Sequence, residues 1–198
     1  LIGSSSTGDG GNITIETNEL NITGKLGIFA ETEAGANAGI LRISPYQNDP
    51  DLDITFKNDG FISASTSSRG NGGNIFIQAP KNIEITGQGF IATETSGTGN
   101  AGIIDIKTNN LIISNGVKIN ASTEDQGNAG QIKINTIEFT LEKGTSLTTE
   151  TNNAGLAGNI EINTKKLTIG QNAQISATAR EGASNKEAGG NITINAND

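Results

Sequence analysis

The chain has 198 residues, 13 basic against 21 acidic, a net charge of −8, and no His, Cys, Met or Trp. Without His or Cys there is no Ser-His-Asp triad, no thiolate nucleophile, no His/Cys zinc site and no disulfide framework. The acidic balance argues against nucleic acid and anionic membrane as partners, and no apolar run approaches the roughly 18 residues of a membrane span.

Only 33% of the residues are hydrophobic, a level at which a chain rich in Gly, Asn, Ser and Thr can be disordered. Ile is the commonest apolar residue, a strand former, and its placement decides against disorder. In chain order, GGNITIE (Gly10–Glu16), AGILRIS (Ala38–Ser44), GGNIFIQ (Gly72–Gln78), AGIIDIK (Ala101–Lys107), AGQIKIN (Ala129–Asn135), AGNIEIN (Ala157–Asn163) and GGNITIN (Gly189–Asn195) match one another, the second least neatly. Their anchor residues Gly11, Gly39, Gly73, Gly102, Gly130, Gly158 and Gly190 are spaced by 28, 34, 29, 28, 28 and 32 residues. The unit is 28 residues, with insertions in the second and sixth copies.

Each unit carries three short runs of alternating apolar residues. In the fourth copy these are Ile104/Ile106, Leu111/Ile113 and Ile119/Ala121/Thr123. Period two is the signature of a strand, and no segment shows helical spacing, so no helix is expected. Three strands per repeat describe one turn of a triangular coil, which buries its inward rows only by stacking on further turns. Residues 1–198 are therefore expected to form one all-β segment, a parallel β-solenoid of about seven coils and about 30 Å in height. The anchor Gly is expected at a corner, where φ is positive or backbones approach closely. Thr17, Thr108, Thr136 and Thr164 share an inward offset, and their hydroxyls are expected to chain together. An antiparallel sandwich does not require the third run of each unit to resemble that of every other unit. A calcium-binding nonapeptide solenoid needs G-G-x-G-x-D, which no copy supplies.

The pattern G-N-A-G-x-I-x-I-x-T-x-x-L-x-I-x-x-G-x-x-I-x-A-S-T is written almost whole in Gly99–Thr123 and Gly127–Thr151. It resembles the repeats of filamentous-haemagglutinin-like exoproteins, especially the large cyanobacterial ones, over nearly the whole chain. The resemblance implies a right-handed parallel β-helix and export of the parent by an outer-membrane two-partner secretion transporter. It also implies an extracellular place on the surface of a Gram-negative, cyanobacterial cell. The family's N-terminal secretion domain is not recognisable, so transporter recognition is not assigned to this segment. With Leu1 in place of an initiating Met and no signal segment, the chain is expected to be a piece of a longer polypeptide.

Local function is expected where the repeat breaks. The first break, Pro45–Asp59, contains the only Tyr, Tyr46, and the acids Asp49, Asp51, Asp53 and Asp59, of which the first three alternate. Alternating carboxylates offer oxygen ligands to calcium, although the stretch lacks the Gly and distal Glu of a calcium loop and equally fits a solvated loop entering a strand. The second break, Arg180–Glu187, reads as a tolerated surface insertion. Among outward rows, Asp105, Lys133 and Glu161 fall on consecutive coils as a candidate ion ladder. Glu31, Glu94 and Glu150 share another offset, with Ser65, Ser122 and Thr178 between them, so that acids recur on every second coil about 9.6 Å apart. Phe61 and Phe90 share an outward offset and, with Tyr46, are the candidate ligand or partner contacts, because stacked exposed rings bind a sugar face or a protein neighbour. The competing arrangement folds both rings back over Gly60 and Gly89.

These features favour a non-catalytic structural and adhesive rod, with no cofactor and no bound metal beyond the calcium candidate. Its partners are expected to be neighbouring coils, the transporter during export, and cell-surface glycans or proteins. The alternative is a polysaccharide-binding or polysaccharide-cleaving β-helix, which needs convergent carboxylates in a groove. An ice-ordering surface needs outward Thr on every coil, whereas the conspicuous Thr row points inward.

Overall fold

The structure is a computed structural model that describes residues 2–4, 8–33, 35–180 and 189–196. Among the described residues every strand pairing is parallel, and the chain winds as a β-solenoid with three faces per turn. The seven motifs occupy seven successive rungs of the first face. Their register runs Ile13, Leu41, Ile75, Ile104, Ile132, Ile160 and Ile192, six turns in all. The second face stacks Leu20, Ile54, Ile83, Leu111, Phe139 and Leu167, and the third stacks Ile28, Ile62, Ile91, Ile119, Leu147 and Ile175. Two long strands, Asn74–Thr86 and Ile103–Ser114, run round the corner between the first and second faces and join them into one 11-stranded sheet. The third face is a separate 7-stranded sheet.

The core is the set of inward rows brought together by this winding. From Leu41 to Ile162 these rows are chiefly Ile and Leu on the first two faces and Ile, Leu, Ala and Thr on the third, all with near-zero exposure. Two aromatic rings, Phe56 and Phe139, fill the second-face side, each 1% exposed. β-Branched Ile suits both halves of its task, since it favours extended backbone and interdigitates with the identical residue one rung away.

The anchor glycines form one column, as their spacing predicts, and close approach is the reason. A Cβ on Gly39, Gly73, Gly102, Gly130, Gly158 or Gly190 would overlap the carbonyl oxygen of the anchor glycine one turn earlier, and none of these residues has positive φ. A second column, Gly70, Gly99, Gly127 and Gly155, is tight in the same way. Between the columns stands an asparagine ladder. The backbone N–H groups of Asn71, Asn100, Asn128 and Leu156 donate to the side-chain Oδ1 of Asn37, Asn71, Asn100 and Asn128, at 2.8–2.9 Å. The G-N-A-G of the repeat is thus two close-packed backbone crossings with an amide acceptor between them.

Three details differ from the sequence reading. The Thr row at Thr17, Thr108, Thr136 and Thr164 does not chain its hydroxyls. Each Oγ1 donates to the carbonyl two residues ahead, at 2.8–3.2 Å, because the corner turns the side chain towards its own backbone. A different Thr row, at Thr32, Thr66, Thr95, Thr123 and Thr151, forms a buried bridge ladder closing the third face. The second departure is a single 3-10 turn, Tyr46–Asn48, where no helix is expected. It lies in the insertion of the second copy. Pairing of Thr17 with Pro45 and of Glu19 with Asp53 shows that a corner spanned by Asn18 alone in one turn takes residues 46–52 in the next. Left-handed Gln47 (φ 51°) reverses the chain there, and Leu52 plugs the bulge with no exposure. The third concerns the proposed ion ladder. Asp105, Lys133 and Glu161 do share a register, and Lys133 pairs with Glu161 at 3.4 Å, but Asp105 meets Lys107 of its own strand at 3.8 Å.

Thr93 stands in an inward row whose adjacent rungs carry Ala64 and Ala121, and its buried hydroxyl has no hydrogen-bond partner. A buried hydroxyl without a partner loses its water for nothing in return. Thr93→Val keeps the shape and removes the polar atom, so it is expected to stabilise the protein by about 1 kcal/mol. A rise in the urea midpoint with unchanged slope checks this. Among the described residues, no helix is long and apolar enough to cross a membrane.

Candidate functional site

The third face carries the richest outward surface. Its inner rows are Ile, Ala and Thr, so the intervening residues must face out, and three outward rows result. The first row is Gly27, Phe61, Phe90, Lys118, Ser146 and Gln174; the second begins at Phe29 and continues through Ser63, Ala92, Asn120, Thr148 and Ser176. Beside them lies Glu31, Ser65, Glu94, Ser122, Glu150 and Thr178, fixed by the adjoining Thr bridges.

Phe61 and Phe90 lie on adjacent rungs with ring centroids 4.7 Å apart and planes inclined by 37°. They stack on each other. Gly60 is covered by Phe56 from inside, and Gly89 is crowded by the Gly60 backbone. The ring of Phe29 lies across Gly27, whose missing side chain leaves that space open. Three rings therefore follow one another along the axis, continued by exposed Lys118. The rings stay half-buried, and the short residues beside them, Ser63 (1% exposed) and Ala92 (3%), form a covered floor although they point outward.

The acidic row is wired to this floor. Asn120 Nδ2 donates to Glu94 Oε1, and Ser122 Oγ donates to Asn120 Oδ1, which also accepts from Thr148 Oγ1 at 3.1 Å. The N–H groups of Glu94 and Glu150 donate to the hydroxyls of Ser65 and Ser122, at 3.0 and 2.8 Å. Arg180 Nε and Nη2 both donate to Glu150 Oε2, at 3.1 and 2.7 Å. Burial pushes the Glu94 carboxyl above the ordinary glutamate range, and the neighbouring Glu124 charge adds to this, while the Asn120 amide pulls the other way.

The sign of this shift fixes a prediction. Native Glu94 holds its proton more tightly than the unfolded chain does, so stability falls as pH rises from about 4, the ordinary carboxylate value, through the raised native one. Above that window the burial penalty is fully present. Glu94→Gln should therefore raise the melting temperature at pH 7 and leave it unchanged below about pH 4. Thermal scans at both values check this, and equal effects at both would contradict it.

The remaining candidates are dispersed. Tyr46 is half-exposed on the corner between the first and second faces, away from the third-face phenylalanines. Asp49 Oδ2 accepts from Asn18 and its Oδ1 from the Asp51 N–H, at 2.8 and 2.9 Å. Asp53 is taken by Lys81 Nζ at 2.7 Å and Asn82 Nδ2 at 2.8 Å, and the Lys81 bond holds its pKa below the usual value. The three acids do not converge, and among the described residues no group of three or more acidic side chains is placed to hold a metal ion. Asp53 instead borders an open depression of about 390 Å³ on the second face, with Glu19, Asn82, Glu84, Asn110 and Ile112. Of the insertion Arg180–Glu187, residues 181–187 lie outside the described residues. No family model, curated protein or solved structure matches this chain.

Two features of this face go beyond what the offsets in the sequence disclose. Phe29 joins the aromatic column from a different offset, which only the empty side of Gly27 permits. Asn120 carries the hydrogen bonds of the acidic row, and its one signal is the N-A-S-T motif at Asn120–Thr123.

Proposed function

We propose that this chain is a non-catalytic, adhesive rod segment of a secreted surface protein, of the filamentous-haemagglutinin-like kind its repeats resemble. The parent would leave the cell through an outer-membrane two-partner transporter and stand outside a Gram-negative, cyanobacterial cell. The observation that carries the reading is the unbroken axial register: six turns present the same outward rows, with acids alternating with hydroxyls along the rod. General acid–base work on a glycan needs two carboxyls facing each other across the scissile bond. Glu31, Glu94 and Glu150 instead lie in one line on one surface, and Glu150 is tied to Arg180. Such a surface favours many shallow contacts, each weak, that add along the length.

Antibodies raised against the segment should label intact cells of the source bacterium, and labelling only after permeabilisation would overturn the surface assignment. A glycan-release assay tests the chemistry. Reducing ends that appear with the wild type and vanish with Glu94→Gln or Asp53→Asn would establish the cleaving alternative.

A further inference from the structure

The third face has a periodicity that the repeat does not demand. Core packing has a period of one rung, yet the row Glu31, Ser65, Glu94, Ser122, Glu150, Thr178 alternates with a period of two, about 9.6 Å. Like-charge avoidance accounts for the alternation itself but not for the rest of the surface. Parallel to that row, on the rungs of Glu31, Ser65 and Glu94, lie the half-buried rings of Phe29, Phe61 and Phe90. Between the two runs a floor of Ser63 and Ala92, too short to obstruct contact.

We propose that this strip binds a neutral, linear, equatorially linked polysaccharide lying along the rod axis. The proposal rests on the adhesive reading and names its site and ligand class. In a flat glycan of this type each pyranose is about as long as one rung, and alternate sugars turn the same edge to the same side. A strip with identical polar groups on every second rung therefore meets the same edge repeatedly. The phenylalanine column supplies the apolar contact for the sugar faces. The polar side is preorganised: Asn120 is clamped by Glu94, Ser122 and Thr148, so a ligand need not order it. Charge selects against uronate and sulfated chains, because the protein carries −8 overall. A cationic chain gains little, since Glu150 is already neutralised by Arg180 and the Glu94 carboxyl is half-buried against an amide.

The test is titration calorimetry of the 198-residue chain with four probes. Cellohexaose and cellotriose have the flat ribbon form, maltohexaose has the same sugar in a coiled chain, and hexagalacturonate is anionic. Binding of cellohexaose that is tighter than that of cellotriose, with little or none of the other two, is expected. Phe61→Ala/Phe90→Ala should weaken cellohexaose binding at least about tenfold, and Phe61→Tyr/Phe90→Tyr should retain it. Phe76→Ala on the first face, whose ring lies under Arg42 at 4.3 Å, should leave it unchanged. Equal affinity for maltohexaose, or undiminished binding in the folded double-alanine variant, would overturn the proposal. No binding of any probe by a segment that still labels intact cells would sink this inference alone. Failure of surface labelling would sink the adhesive reading beneath it.

Discussion

Gly130→Ala is expected to cost more than about 4 kcal/mol and to leave the chain largely unfolded at 37 °C. The cause is not backbone freedom. Gly130 has ordinary φ, but a methyl group there would occupy the space of the Gly102 carbonyl oxygen, with the Ala101 carbonyl carbon also within contact. Neither neighbour is the tip of a flexible side chain, so relief requires two turns to move apart. The sheets on all three faces would have to part with them, because every strand of one turn is hydrogen-bonded to the next. Gly189→Ala is the matched control. A Cβ at Gly189 meets nothing within 4 Å and its φ is not positive, so the change should lie within about 0.5 kcal/mol. Urea denaturation of the two variants decides the matter. Similar midpoints would show that the glycine column is dispensable.

Phe139→Ala should cost about 3–5 kcal/mol, the range for deleting a buried aromatic ring. Phe139 is 1% exposed and stands in a row otherwise made of Leu and Ile, between Leu111 and Leu167. In a stacked array each turn touches only its neighbours, so the damage should be local. Hydrogen exchange should lose protection over residues 103–114 and 159–169 and retain it over residues 40–57. Uniform loss along the whole rod would mean that the turns unfold as a single unit.

The parts of this structure that sequence discloses are those that repeat. The Ile pairs of the seven motifs alternate because one face of each strand is buried, and the anchor Gly recurs because each turn crosses the last at the same point. Phe61 and Phe90 share an offset and do stack. Offset says nothing, however, about a side chain reaching sideways, and Phe29 fills the gap over Gly27 from the neighbouring outward row. The carboxylates of Asp49, Asp51 and Asp53 alternate in a way that resembles a ligand set. Their fates were set by Asn18 and Lys81, which come from the turns before and after and are invisible in local spacing. The inward Thr row failed for a related reason, since a hydroxyl at a corner finds its own backbone before it finds the next Thr. Leu52 within the insertion carries the one apolar side chain able to seal the bulge, and a reading centred on its acids overlooks it.

The asparagine ladder has a direction. In every step from Asn37 to Leu156 the acceptor amide belongs to the earlier turn and the donor N–H to the later one. A turn already in place is therefore a finished template, its amide oxygens set out at the spacing of the strand about to arrive. The arriving turn brings donors for those amides and carbonyls for the N–H groups of Ala38, Gly72, Ala101 and Ala129, and in settling lays out the amide acceptors for its own successor. Growth resembles the layering of a crystal on one face more than the collapse of a globule, and the advancing surface looks the same after every turn. Such a rod has a front and a back at each moment of its folding. A chain that enters its surroundings from one end can build it in order, each turn holding out backbone N–H groups for the carbonyls of the turn that follows.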